Sequence, residues 1–466
     1  MLIIREVVLL GTCICLFGSL ISCSMNNNDG SADITSERYR DSAEEIVIHL
    51  ANSGGESKIT EAVEKFNELN TGYRVEIVEY EHPDLYANGG VPQQSELNLI
   101  DFELIQDLIN TTDIDIVTNT CFYNQINYIN LLKKGAFTDL YKFMAGDDEI
   151  NTKTLNNPVL KLNETDGALM SIPLFYEVCT VGGNSQYVGN KENWTFDEMK
   201  ELWNKMPENS TIFGGRTKEN AFYVTIRHNI VKYIDYTNGT VHFDSDDFRD
   251  ALEFCNSFEY GNQQKVEYDY SAPSFCFECT IDAYMPTANF ELGSNEPKIT
   301  LVGYPSSDGN GAYLTACGNT FSVLNSSDKE KQDGAWQFIR TFLTEEWQEE
   351  NAVYHDGSTD YFTQSGFCIN LKANENIKKK VVEKTNSPST YESKGETVEV
   401  QFPSIEDCNA LDAYIDRVNR WETGVNESIN EIIKEEAFDF FASEITIDQC
   451  VERIQNRMSI LISEQS

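Results

Sequence analysis

A chain of 466 residues is too long for one ordinary hydrophobic core, so two or three domains are expected. A hydrophobic fraction of 40% and an aromatic fraction of 11% exclude a disordered polymer. With 76 acidic residues against 35 basic ones the net charge is −41, a field that repels nucleic acid and anionic headgroups and argues against both as partners. The acidity suits the solubility of a surface-displayed protein and carries no information about substrate.

Met1–Arg5 supplies a short stretch with one positive charge, and Val7–Ile21 is apolar, broken only by small residues and cysteines. The run ends at Leu20-Ile21-Ser22-Cys23 and turns at once to Ser-Met-Asn-Asn-Asn-Asp-Gly. A run this short with small residues before its end reads as a secretory signal over residues 1–22, with an uncleaved anchor helix as the alternative. The tetrapeptide resembles the bacterial lipobox. That resemblance implies that Cys23 becomes the lipidated first residue of the mature protein, carrying palmitate-type acyl chains that hold it at a membrane surface. Residues 24–43 are polar and aperiodic and read as a linker.

Glu45–Ala51 reads as a strand, Lys58–Leu69 as a helix through Ile59, Val63, Phe66 and Leu69, and Tyr73–Tyr80 as a second strand of period two. Helical spacing around Leu97–Ile109 precedes a third strand at Ile114–Thr118. Alternating strands and helices imply a parallel α/β lobe. Gly135–Met144 reads as a short strand or helix start.

Ser171–Asn184 (SIPLFYEVCTVGGN) reads as a strand crossing between lobes, punctuated by Gly182-Gly183. Its Tyr176 and Glu177 suit a sugar, the ring stacking on the apolar face and the carboxylate accepting from hydroxyls. Equally, they suit a buried strand whose polar groups are paired internally. Thr195 with Glu198 forms a capping box, so a helix starts there. Asp246–Phe258 reads as helix, and residues 299–311 as a strand running into a Pro/Ser/Gly turn. Ser327–Leu343 is amphipathic through Ala335, Trp336, Phe338, Ile339 and Phe342. Residues 404–463 read as helical, with Ile429, Ile432, Ile433, Ala437 and Phe440 as a packing face. Two passages between lobes make each lobe discontinuous, and such a hinge lets lobes close on a ligand.

Nine of the twelve cysteines lie beyond Cys23, scattered and mostly in apolar surroundings, and read as small buried hydrophobes. Cys276-x-x-Cys279 lacks a second pair of ligands, so no metal or other cofactor is implied.

Together, the Cys23 tetrapeptide with its linker, EIVIHLANSGGESKITEAVEKFNELN, TTDIDIVTNT, DGALMSIPLFYEVCTVGGN, VGYPSSDGNG and DGAWQFIRTFLTEEWQ resemble the maltose-binding-protein-like, family 1 extracellular solute-binding lipoproteins of bacterial ABC sugar importers. The C-terminal INEIIKEEAFDFFASEITIDQCVERIQNRM resembles the end of that family as well, so the likeness runs over nearly all of residues 44–466. It implies an α/β, two-lobed periplasmic-binding-protein type II fold with discontinuous lobes, a hinge and a helical C-terminal region. One lobe would hold 44–173 and 303–350, the other 174–302 and 351–466. A monomer anchored on the extracellular face of the membrane would take a solute, an oligosaccharide first of all, and pass it to permease subunits.

The resemblance places ligand contacts at Ser53 and Glu56 after strand one, at Asn119, Thr120 and Phe122 after strand three, and at Tyr176 and Glu177 on the crossing strand. Tyr284, Tyr304 and Trp421 are further candidates in the second lobe or hinge. Position 119 is Asn where sugar binders of this type often place an aromatic, which weakens a stacking role there. Competing classes are a surface adhesin or structural lipoprotein and, with no GxSxG, HExxH or P-loop in the chain, a surface glycosidase.

Overall fold

The computed structural model describes residues 45–465 apart from 53–56, 81–93, 111–113, 124, 209, 213–216, 236–237, 259–274, 285–298, 307–310, 355–362, 365, 385–388, 394–395, 401–402 and 423–426. Cys23, the signal and the linker lie outside the described residues, as do Ser53 and Glu56. Along the chain run β1 (Ile46–Asn52), α1 (Ser57–Glu68), β2 (Tyr73–Glu79), α2 (Gln94–Asn110), β3 (Ile116–Thr118), α3 (Gln125–Lys133), β4 (Ile172–Asn184), α4 (Phe196–Trp203) and α5 (Lys218–Thr225). Then come α6 (Asp246–Asn256), β5 (Cys276–Ile281), β6 (Ile299–Leu301), β7 (Tyr313–Val323), α7 (Lys329–Ile339), β8 (Phe367–Cys368) and α8 (Leu371–Lys384). Three helices close the chain: α9 (Ile405–Ile415), α10 (Glu427–Phe441) and α11 (Ile447–Gln465). Among the described residues no helix is long and apolar enough to cross a membrane.

The described residues fall into two compact units, those up to Phe143 with Phe321–Thr341, and Met144–Thr320 with Phe342–Glu464. Each is discontinuous in sequence. The sequence reading ended the stretches of the first lobe at 173 and 350; those of the first compact unit end at Phe143 and Thr341.

In the first unit β1 pairs in parallel with β2 over Ile46↔Tyr73 to Asn52↔Glu79 and with β3 at Leu50↔Ile116, while the last residues of β7 run antiparallel to β3. β3 is buried at all three positions and β1 is buried from Leu50 to Asn52, as the interior of a parallel core requires. Helix α1 turns Ile59, Val63 and Phe66 inward, and Phe66 meets Phe338 of α7 edge to face at 5.4 Å. Leu69, expected on that face, is 64% exposed because the helix stops at Glu68. The buried Asp115 before β3 accepts from the His49 backbone, the Ser327 hydroxyl and Lys331 Nζ, so its charge is fully bonded.

The second unit is organised on β4, 13 residues buried almost throughout. It pairs antiparallel with β5 from Val178↔Ile281 to Gly183↔Cys276, with β6 at Gly182↔Leu301, and with β8 at Tyr176↔Phe367. Helix α4 begins with the expected capping box, Thr195 and Glu198 each bonding the other's backbone. Trp194, fully buried, donates its indole N–H to the Gly303 carbonyl at 2.8 Å. On α10 the buried stripe is Ile429, Ile433, Ala437 and Phe441; Phe441 and not Phe440 completes the spacing of four.

Candidate functional site

In the first unit the expected site lies where β1 and β3 end. Asn119-Thr120-Cys121 forms one turn of 3-10 helix directly after β3, at the carboxyl end of a parallel strand, where open α/β sheets hold ligands. Thr118 Oγ1 lies 2.9 Å from Thr120 Oγ1 and 3.1 Å from Cys121 Sγ, and that thiol donates to the Ala51 carbonyl, which fixes the turn against β1. Asn119 and Thr120 are half-buried. Phe122 is 1% exposed and packs on Tyr128 at 5.5 Å, which places its ring in the core.

The sequence reading ended the first strand at Ala51 and missed Asn52. This side chain is 1% exposed, its amide nitrogen stands 3.4 Å from both Glu79 oxygens, and its Oδ1 has no hydrogen bond among the described residues. A buried acceptor left open is costly in a core. An Asn standing immediately before Ser-Gly-Gly at a strand end was the available signal.

In the second unit successive side chains of β4 point to opposite faces, which separates the expected pair Tyr176 and Glu177. Tyr176 is 2% exposed, accepts from Asn156 Nδ2 at 3.3 Å and packs on Phe367 at 5.5 Å; burial lifts its phenol. Tyr284 packs on the same Phe367 at 5.2 Å, donates to Asp412 Oδ1 at 2.9 Å and accepts from Asn374 Nδ2 at 2.8 Å.

Glu177 is half-buried. The β4–β5 pairing ends at Val178↔Ile281, so Asp282 is the residue just past the last pair; its charge is felt at Glu177, and the Cys317 thiol of β7 bonds to Glu177. Burial first, then the charge of Asp282, pushes the Glu177 carboxyl up against the opposing pull of the Cys317 bond. Asp282 is raised by burial too, and the Cys317 thiol goes up to about 12, from burial and then from the charges of Glu177 and Asp282. Neither carboxyl is ion-paired among the described residues. These carboxyls hold their protons more tightly than exposed ones, and each can accept a hydrogen bond from a hydroxyl.

Tyr304 is fully buried, donates to Glu278 Oε1 at 3.0 Å and stacks on Tyr313 at 5.8 Å, and the Arg420 guanidinium lies 5.2 Å from the Tyr313 centroid. Arg420, Trp421 and Glu422 lie beside the start of β7 through Leu314 N–H to Arg420 O and Glu422 N–H to Leu314 O. Trp421 is half-buried. Glu422, 5% exposed, meets Arg420 Nε at 3.0 Å without the alignment of a hydrogen bond. Burial pushes its carboxyl up to about 7 against the pull of Arg420. Asp282, Cys317, Arg420 and Glu422 were not read from the sequence, because each acquires its neighbours across long sequence separations.

Among the described residues no group of three or more His, Cys, Asp or Glu side chains is placed to hold a metal ion. The cysteines from Cys121 onward are free thiols, buried except for Cys317, and Cys276 and Cys279 lie within β5 as strand residues.

No family model matches the chain, and no curated protein matches it. Solved structures do. A periplasmic oligogalacturonide-binding protein from Yersinia enterocolitica superposes with a TM-score of 0.56 at 13% identity, over 90% of this chain and 100% of that one. An extracellular solute-binding protein of family 1 from Alicyclobacillus acidocaldarius gives 0.52 at 12%, over 91% and 100%. A structure described as a de novo designed esterase gives 0.55 at 13%, over 91% and 100%. At such identity the likeness establishes the fold alone, and a fold hosts more than one function. The chain has the mixed α/β fold of the type II periplasmic binding proteins.

Proposed function

We propose that this protein is the solute-binding component of an ABC importer, capturing an extracellular oligosaccharide and delivering it unaltered to permease subunits. The carrying observation is the match over 90% of this chain and all of a periplasmic oligogalacturonide-binding protein. Within the first unit, Asn119 and Thr120 at the end of β3 and the open acceptor of Asn52 supply groups for hydroxyls. Within the second, Glu177 supplies a half-buried carboxyl and Trp421 a half-buried ring. Phe122, Tyr176, Tyr284 and Tyr304 support these positions from the interior, and the family resemblance adds Ser53 and Glu56 as ligand contacts. On this reading Cys23 carries the lipid that keeps a monomeric binder on the extracellular face, close to its permease.

Thermal-shift and calorimetric screening of the full chain against neutral and acidic oligosaccharides tests the reading. A saturable shift with at least one of them, without cleavage, is expected. A panel that leaves the melting temperature unmoved removes the assignment.

A further inference from the structure

The second unit contains a half-open cavity of about 90 Å³ apart from the groups discussed above, lined by Val302, Gly311, Ala312, Tyr414, Arg417 and Glu192 with neighbouring residues. Its floor is fixed. Val302 N–H is bonded to the Val181 carbonyl at 2.9 Å, and the Tyr414 hydroxyl is bonded to Thr180 Oγ1, so the buried Tyr414 presents ring and not hydroxyl. Its rim is charged. Arg417, just past the end of α9, pairs with Glu192 at 2.5 Å, and the guanidinium lies 5.6 Å from the Tyr414 centroid. Asn193 and Asn419 complete the lining.

We propose that this cavity is a second small-molecule site, and that it takes a zwitterion of amino-acid size. Size favours a solute smaller than a sugar. At roughly 10–15 Å³ per water the cavity holds about six to nine water-sized groups, whereas a hexose brings about a dozen heavy atoms. Charge decides among smaller solutes. A simple anion bound to Arg417 would face Glu192 and a protein of net charge −41, and a simple cation bound to Glu192 would face Arg417. A solute bearing both charges satisfies both side chains, its carboxylate on the guanidinium and its ammonium on the carboxylate, with its apolar part on Val302, Ala312 and the Tyr414 ring. The exchange costs little, because Arg417 and Glu192 are 46% and 70% exposed, and an ion pair so exposed is worth about 0–1 kcal/mol. This site does not depend on the oligosaccharide reading.

The test titrates the full chain with L-alanine, followed by ligand-observed saturation transfer and calorimetry. Saturable binding is expected, about threefold weaker in each of R417Q and E192Q, and about threefold weaker for N-acetyl-L-alanine and for alaninamide, which each lack one charge. Both substituted side chains are exposed, and unchanged melting temperatures would show the variants folded. Absence of saturable binding up to about 50 mM, far above the millimolar range that weak sites reach, overturns the site. Binding that survives either substitution, or that N-acetyl-L-alanine or alaninamide matches, overturns the zwitterion assignment.

Discussion

Glu177 on β4 and Asp282, one residue past the last β4–β5 pair Val178↔Ile281, are two half-buried like charges close enough to interact, and neither is paired with a cation among the described residues. Like charges placed close together destabilise a sheet. Both carboxyls are raised, so the folded state binds these protons more tightly than the unfolded chain. Their contribution to stability is therefore greatest in acid and is lost as pH climbs through the carboxylate range. Asp282→Asn is expected to stabilise the protein by about 0.5 kcal/mol at about pH 8, discounted for solvent screening, and by nothing at about pH 4. Urea denaturation at both pH values checks the difference.

Glu422 makes a larger demand on pH. Its carboxyl is raised from 4.5 to about 7, so the stability it confers is complete below about 4.5 and is lost as pH rises through 7. A shift of this size corresponds to about 3 kcal/mol. Glu422→Gln should flatten the stability profile between about pH 5 and 8 relative to wild type. A mutant profile that keeps the wild-type slope would place the titration elsewhere.

Replacing Glu177 by Ala removes a hydrogen-bonding group from the proposed sugar site without opening the core. An affinity loss of about tenfold, the worth of one or two hydrogen bonds, is expected for any oligosaccharide found to bind. The melting temperature should stay level or rise, since the same change relieves Asp282. Calorimetry beside a melting curve separates the two effects.

Two glycines, Gly311 just before β7 and Gly318 within it, should respond to Ala with very different losses of stability. A Cβ on Gly311 would lie 1.6 Å from the Tyr304 carbonyl oxygen, which is backbone and cannot step aside. Gly318 has φ +82° and nothing within 4 Å of such a Cβ, so Ala there costs only backbone strain of about 1–2 kcal/mol. Gly311→Ala should be markedly more destabilising than Gly318→Ala in thermal unfolding.

The elements legible in the sequence were those whose signals are local. The capping box at Thr195, the β1–α1–β2 alternation and the long apolar strand at 172–184 each announce themselves within a dozen residues. The site was less legible. Tyr176 and Glu177 are adjacent in sequence, and for that reason they face opposite sides of the sheet. Tyr284 and Tyr304 offered aromatic rings for a ligand, yet their hydroxyls are committed to Asp412 and Glu278. The neighbours of Glu422 form through Leu314, more than a hundred residues away, a distance that periodicity does not span.

The thiols from Cys121 onward give the chain a property useful at the bench. Eight of these nine are buried, and at Cys179, Cys255 and Cys368 burial pushes the thiol up to about 12. The reactive species is the thiolate, so an aromatic disulfide reagent would leave them untouched while the protein stays folded. Colour released on adding denaturant would then report the loss of tertiary structure from within the molecule, with no dye or label attached.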